Sequence, residues 1–339
     1  MQAQEPKAFL KNYSRLRSRA MPSKRYLHDH PDFSDLTRVV AGARKIDPYL
    51  VEKDYWLMHA LYGLQQAGYD FQLKGGTSLS KGYGIIHRFS EDIDIHIVPP
   101  EDVQVRTSKN HDKEKDRQSR KSFYDYLATH IRIPDIVSVD RDTAFDALPK
   151  YFSGGIRLTY EAQFPSDGSA KEGILLEVGF DDVIPNQPLN ISSWALEFAF
   201  EKCVDVIDNR ALHISCYDPG YTLVEKLQAI VTKYRAHQAP ANAFPPNFMR
   251  HYYDVCCLLQ NDQVQAFIGT TPYNEHKKRR FPAVDLQTPL SENEALIMSD
   301  ASKRSLYQKE YERRASLYYQ GQPPFDFVLG VIQENLPRL

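Results

Sequence analysis

The chain has 339 residues, 42% hydrophobic and 25% charged, a balance that fits a folded globular protein of one large or two ordinary domains. No apolar run reaches the roughly eighteen residues of a membrane helix and the N-terminus has no apolar signal core, so no membrane association and a cytoplasmic location are expected. A net charge of −2 excludes binding of nucleic acid by overall charge and leaves only local basic patches for it.

Residues 1–30 read as a basic, solvated arm carrying Lys11, Arg15, Arg17, Arg19, Lys24 and Arg25. A helix is expected from Asp47, with Pro48 in its first turn and Leu50, Leu57, Leu61 and Leu64 on one face. Gly68 stops it, and Phe71 to Lys74 leads into the turn Gly75-Gly76. A short helix from about Ser78 to Ile86 follows, then a strand from Ile93 to Val98 that Pro99-Pro100 ends. Residues 106–121 are a dense charge run, either a loop or the exposed start of a helix through Phe123 and Leu127. Strands are expected over Ile131–Val139, Ile156–Phe164 and Ile174–Phe180, with a turn at Asp167-Gly168. From Tyr221 the pattern turns helical: Thr222 and Glu225 have capping-box spacing, and Leu223, Leu227, Ile230 and Tyr234 share a face. Pro240, Pro245 and Pro246 end that region, and a second helix is expected near Phe248–Leu259. Residues 270–290 read as a Pro-rich loop, Glu292–Tyr319 as a helix, and Phe325–Asn335 closes the chain. Cys203, Cys216, Cys256 and Cys257 make no CxxC pair and no metal-ligand spacing, and read as reduced thiols. The expected class is α/β (α+β), with a mixed-sheet core over 1–210 and a mainly helical C-terminal domain over 211–339.

The chemistry concentrates in KGGTSLSKGYGIIHRFSEDIDIHI, Lys74 to Ile97. Asp92 and Asp94, two apart on a strand, point to one face, while Ile93, Ile95 and Ile97 point to the other. Adjacent carboxylates repel, and a divalent cation such as Mg²⁺ is the usual reason to keep them. Glu177, the lone charge in ILLEVGF, is the expected third ligand, with Asp181, Asp182 and Glu161 as alternatives. Two Mg²⁺ ions, or Mn²⁺ in their place, would then activate the attacking oxygen and steady the leaving one, with Glu177 taking the proton. Gly75, Gly76, Thr77 and Ser78 would cradle the β- and γ-phosphates, with Lys81 and Arg88 neutralising the triphosphate. Arg88 has an alternative partner in Glu91.

These residues reach a family. GGTSLSKGYGIIHRFSEDIDI closely resembles the motif of the AbiEii/AbiGii (MenT-like) nucleotidyltransferase toxins, of the DNA polymerase β-like nucleotidyltransferase superfamily. EKDYWLMHAL (Glu52–Leu61), EKLQAIVTKYRA (Glu225–Ala236) and RHYYDVCCLL (Arg250–Leu259) resemble three further pieces, with His251 where Asp is common. The resemblance implies metal-dependent transfer of a nucleotide from an NTP, often to the 3′ end of tRNA. It also implies blocked translation and a cognate antitoxin, within a toxin–antitoxin or phage-defence system. It carries Gly76 and Ser78 over to phosphate, Asp92 and Asp94 to metal, Lys226 to the triphosphate and Asp254 to the site. Lys226 also suits the polar face of any amphipathic helix, and Arg250 with Asp254 an exposed i,i+4 pair.

The basic run His276, Lys277, Lys278, Arg279 and Arg280 is either a solvated loop or an RNA-phosphate contact. Three functions stay open: an RNA-modifying toxin, a transferase acting on a protein hydroxyl or an aminoglycoside, and a protein that only binds NTP or RNA.

Overall fold

The computed structural model describes residues 24–108, 110–165, 172–238 and 243–339. Lys11, Arg15, Arg17 and Arg19 of the basic arm, Lys109 of the charge run, the Asp167-Gly168 turn and Pro240 lie outside the described residues. The strands are β1 (Phe71–Lys74), β2 (Asp92–Ile97), β3 (Ile136–Asp142), β4 (Ser153–Tyr160), β5 (Ile174–Gly179), β6 (Asn186–Ile191) and β7 (Ala211–Tyr217). They form one mixed sheet in the order β3-β4-β5-β2-β1-β7-β6. The central strand β2 runs antiparallel to β1 and parallel to β5. Its alternation is the expected one: Ile93, Ile95 and Ile97 are buried, and the residues between them are half-buried.

The helices are α1 (Phe33–Arg44), α2 (Pro48–Gln66), α3 (Glu114–His130), α4 (Trp194–Glu201), α5 (Pro219–His237), α6 (Arg250–Leu259), α7 (Asp262–Phe267), α8 (Thr271–Arg280), α9 (Glu294–Ile297), α10 (Ala301–Glu312) and α11 (Phe325–Asn335). Asp47 caps α2 by accepting from the Tyr49 N–H at 2.7 Å. The helix is buried on nearly every side, which fits an apolar helix wedged into a core. Its buried Glu52 is held by the N–H groups of Gln163 and Phe164 at 2.8 and 3.0 Å. The last strand ends at Tyr217 and helices follow, while the buried apolar side chains form one cluster from Leu27 to Leu336.

Several expected boundaries move for local reasons. After α3, Pro134 and left-handed Asp135 (φ 62°) delay β3 to Ile136. The helix at the glycine turn is only Gly75–Thr77 running into a π turn over Ser78–Gly82. The capping box at Thr222 gives way to Asp218, which accepts from the Gly220 N–H at 2.7 Å, so α5 begins earlier. The 270–290 region is not all loop: Thr270 caps α8, and Pro272 suits its first turn. The stretch from Glu292 to Tyr319 is broken where Met298 turns left-handed (φ 48°) and Asp300 caps α10.

Candidate active site

Parallel pairing of β2 with β5 sets Asp94 opposite Glu177 and Asp92 opposite Leu175. Register partners on neighbouring strands project to the same face, so Glu177 joins the face that carries Asp92 and Asp94. Burial pushes the Glu177 carboxyl up to about 7, with the nearby charge of Asp94 and then Asp92 adding and Lys74 opposing. Three carboxylates on one face, in one electrostatic field though not gathered within 4.8 Å of one another, are donors whose chemistry suits a hard divalent cation.

The glycine turn is built around this face. Gly75 has φ 72°, and a Cβ there would fall 2.1 Å from Asp94 Oδ2, so only glycine lets the turn pass beneath that carboxylate. A Cβ on Gly76 would meet Ser90 Oγ at 2.6 Å. The Thr77 hydroxyl donates to the Asp92 carbonyl at 2.7 Å, and Thr77 and Ser78 are both buried. The Thr77 hydroxyl is thus committed within the fold, and what the turn offers an anion is chiefly its backbone N–H groups.

The cations come from far along the chain. Arg88 grips Asp254 with two hydrogen bonds, 2.7 and 2.8 Å, and Lys226 Nζ reaches the same carboxylate at 3.0 Å. The sequence candidates Arg88, Lys226 and Asp254 thus form one buried cluster; Arg88 does not pair with Glu91, and Asp254 is no exposed partner of Arg250. Burial alone would raise the Asp254 carboxyl, but Arg88 and Lys226 outweigh it and hold the group well below the usual carboxylate range. Lys81 is engaged elsewhere. It pairs with buried Asp54 at 2.9 Å and lies 4.6 Å from the Trp194 ring.

Lys233 and Lys74 escape the sequence reading, which gives Arg250 and His251 no site role. Burial pushes the Lys233 ammonium down to about 8, with Arg250 and Lys226 adding and Glu177 opposing, which places these cations in one field with the carboxylates. Lys233 Nζ lies 3.1 Å from Nε2 of His251, itself buried. Lys74 faces Asp94 in the register of β1 and β2 and lies 3.5 Å from Asp181. A lysine or arginine on a helix carries no sequence signal of such a role; only the packing of α5 against α6 reveals it.

The basic run is helical, and most of it is spoken for. Lys277 donates to the Leu339 carbonyl, His276 is buried, and Arg280 lies 3.2 Å from Asp181 and 3.5 Å from Glu225. Lys278 and Arg279 are exposed, Arg279 while its guanidinium donates to His276 Nδ1 at 2.9 Å.

Among the described residues, the ligand atoms of His28, His59 and Asp135 lie within 4.8 Å of one another. Their bonds are already used: His59 contacts the Pro134 carbonyl and Asn209, and His28 contacts Tyr55 and Asp135. The cluster thus fits a structural hydrogen-bond chain.

The sequence profile described as "Nucleotidyl transferase AbiEii toxin, Type IV TA system" matches residues 57–331, taking in every element of the site. The chain belongs to the AbiEii nucleotidyltransferase toxin family. It is therefore a nucleotidyltransferase with the toxin role of a toxin–antitoxin system, which entails an NTP substrate and a cognate antitoxin. Nothing matches among curated proteins. Among solved structures, an antigenic nucleotidyltransferase-like protein from Paracoccidioides brasiliensis is 12% identical, with 71% of this chain and 94% of that chain covered and a TM-score of 0.30. Terminal uridylyl transferase 4 from Trypanosoma brucei with bound dUTP is 11% identical, with 90% and 97% covered and a TM-score of 0.29. Likeness at that level is too weak to carry function. Among the described residues, no helix of this AbiEii member is long and apolar enough to cross a membrane.

Proposed function

We propose that this AbiEii-family enzyme works in the cytoplasm and transfers a nucleoside monophosphate from an NTP to RNA, at the 3′ end of tRNA, so that translation stops. The observation that carries the reading is Glu177, raised toward neutrality in register with Asp94 and beside a cation cluster. Asp92, Asp94 and Glu177 would hold Mg²⁺, with Mn²⁺ as a substitute. Bound there, the metal supplies Lewis-acid charge at the reacting phosphate and hydroxyl. The backbone of the Gly75–Ser78 turn, with Lys226 and Lys233, binds and orients the triphosphate tail, while Arg88 and Asp254 fix the position of Lys226. Glu177 accepts the proton of the attacking hydroxyl as the new O–P bond forms and the bond to pyrophosphate breaks. Lys278 and Arg279 on α8 supply outward charge for RNA phosphates. The toxin role then serves phage defence or growth control.

The test is label transfer with Mg²⁺, each α-labelled NTP in turn, and total tRNA. Label in the tRNA band is the expected outcome. Label on a protein band, or on neither, would contradict the RNA acceptor.

A further inference from the structure

A cavity of about 290 Å³ opens between the segment that precedes β2 and helices α6 and α10, reaching Glu91 but not Asp92, Asp94 or Glu177 themselves. That is near the lower end of small-molecule sites, roughly 300–1,000 Å³. Phe89, Phe248 and Tyr318 line it as buried aromatic walls. Two polar atoms on its lining residues are buried and lack a hydrogen-bond partner: Arg250 Nε and the Tyr311 hydroxyl. Glu91 lines it too, only 6% exposed and directly preceding Asp92. Buried polar groups are normally satisfied, so aromatic walls with unsatisfied donors beside a carboxylate describe a site that expects a flat, polar ligand.

We infer that this cavity receives the base of the donor nucleotide and that Glu91 reads it, favouring a base with an exocyclic amino group. The inference rests on the transferase reading above. Arg250 ties the cavity to the chemistry, since it also stands in the field of Glu177 and Lys233. A carboxylate only accepts hydrogen bonds. The amino groups of cytosine, adenine and guanine give it a donor. Uracil offers one imide N–H flanked by two carbonyl oxygens, which a carboxylate repels. UTP is therefore the weakest ligand.

Calorimetric binding of the four NTPs, with Ca²⁺ in place of Mg²⁺ to hold off transfer, tests this. Tripolyphosphate serves as the base-free probe. A hydrogen bond to a charged group predicts that wild type binds its best amino-bearing NTP about tenfold or more tighter than UTP. Glu91→Gln should reduce that ratio to about threefold or less, leaving tripolyphosphate affinity unchanged. Tyr311→Phe, which removes one hydroxyl, should weaken NTP binding but not tripolyphosphate binding, and tests the cavity independently. An unchanged ratio in Glu91→Gln overturns the inference, as does an equal loss for NTPs and tripolyphosphate. A loss of single-stranded RNA affinity with NTP affinity intact also overturns it, assigning the cavity to the acceptor. A wild type that binds neither NTP nor tripolyphosphate would instead bring down the transferase reading itself.

Discussion

Asp254 and Glu177 are both carboxylates in poorly solvated places, and their surroundings drive them in opposite directions. Asp254 has two cations to itself, so its carboxyl is held far below 3.8. It adds stability above that unfolded value and loses it as pH falls below it. Asp254→Asn leaves Arg88 and Lys226 buried without a counter-charge; denaturant unfolding should show a loss of about 3–5 kcal/mol. Glu177 is buried and also faces two other carboxylates, and its value rises from 4.5 to about 7. The cation-free fold therefore loses stability as pH climbs through that interval. Divalent-cation affinity should rise with pH up to about 7 and level off above it, with proton release on binding below that point. Calorimetry in buffers of different ionisation enthalpy measures both, and Glu177→Gln should remove the pH slope. Glu177 and the two aspartates it faces are legible in the sequence because a charge inside an apolar strand demands a reason, whereas Asp254, on a helix, is reached only through the family resemblance. Lys233 and Arg250 are not legible, because a cation on a helix looks the same whether it meets water or another helix.

At the scale of elements, the register of β2 against β5 does the positioning, and the turn under Asp94 completes it. The alternation of DIDIHI and the lone charge in ILLEVG state which residues share a face, but not that the two strands are neighbours; pairing between distant segments is settled only by the whole sheet. Strands β6 and β7 are illegible for another reason: NQPLNI and ALHISCY lack a clean apolar alternation. Helix α8 was hidden by its proline, which reads as a loop marker yet sits in a first turn where it costs no hydrogen bond. Its helical form divides the basic run into docking and outward residues. Lys278→Glu with Arg279→Glu should weaken tRNA binding with a shallower salt dependence and leave the unfolding midpoint nearly unchanged. Arg280, tied to Asp181 and Glu225, should instead affect stability when replaced by Ala.

Across the whole molecule, the site closes only when the chain's two halves meet. Arg88 and Asp254 are 166 residues apart and bind through paired hydrogen bonds, joining the segment before β2 to α6. Helices α5 and α6 thereby bring Lys226, Lys233 and Arg250 against a face built by β2 and β5. The proposed transferase centre is thus a joint product of sheet and helices. Transfer of α-labelled nucleotide to tRNA by wild type and Asp94→Asn, both confirmed folded, at saturating Mg²⁺, tests that centre most directly. The paired-carboxylate account predicts a rate loss of at least about 10³-fold in the variant; a variant within about tenfold of wild type would contradict it.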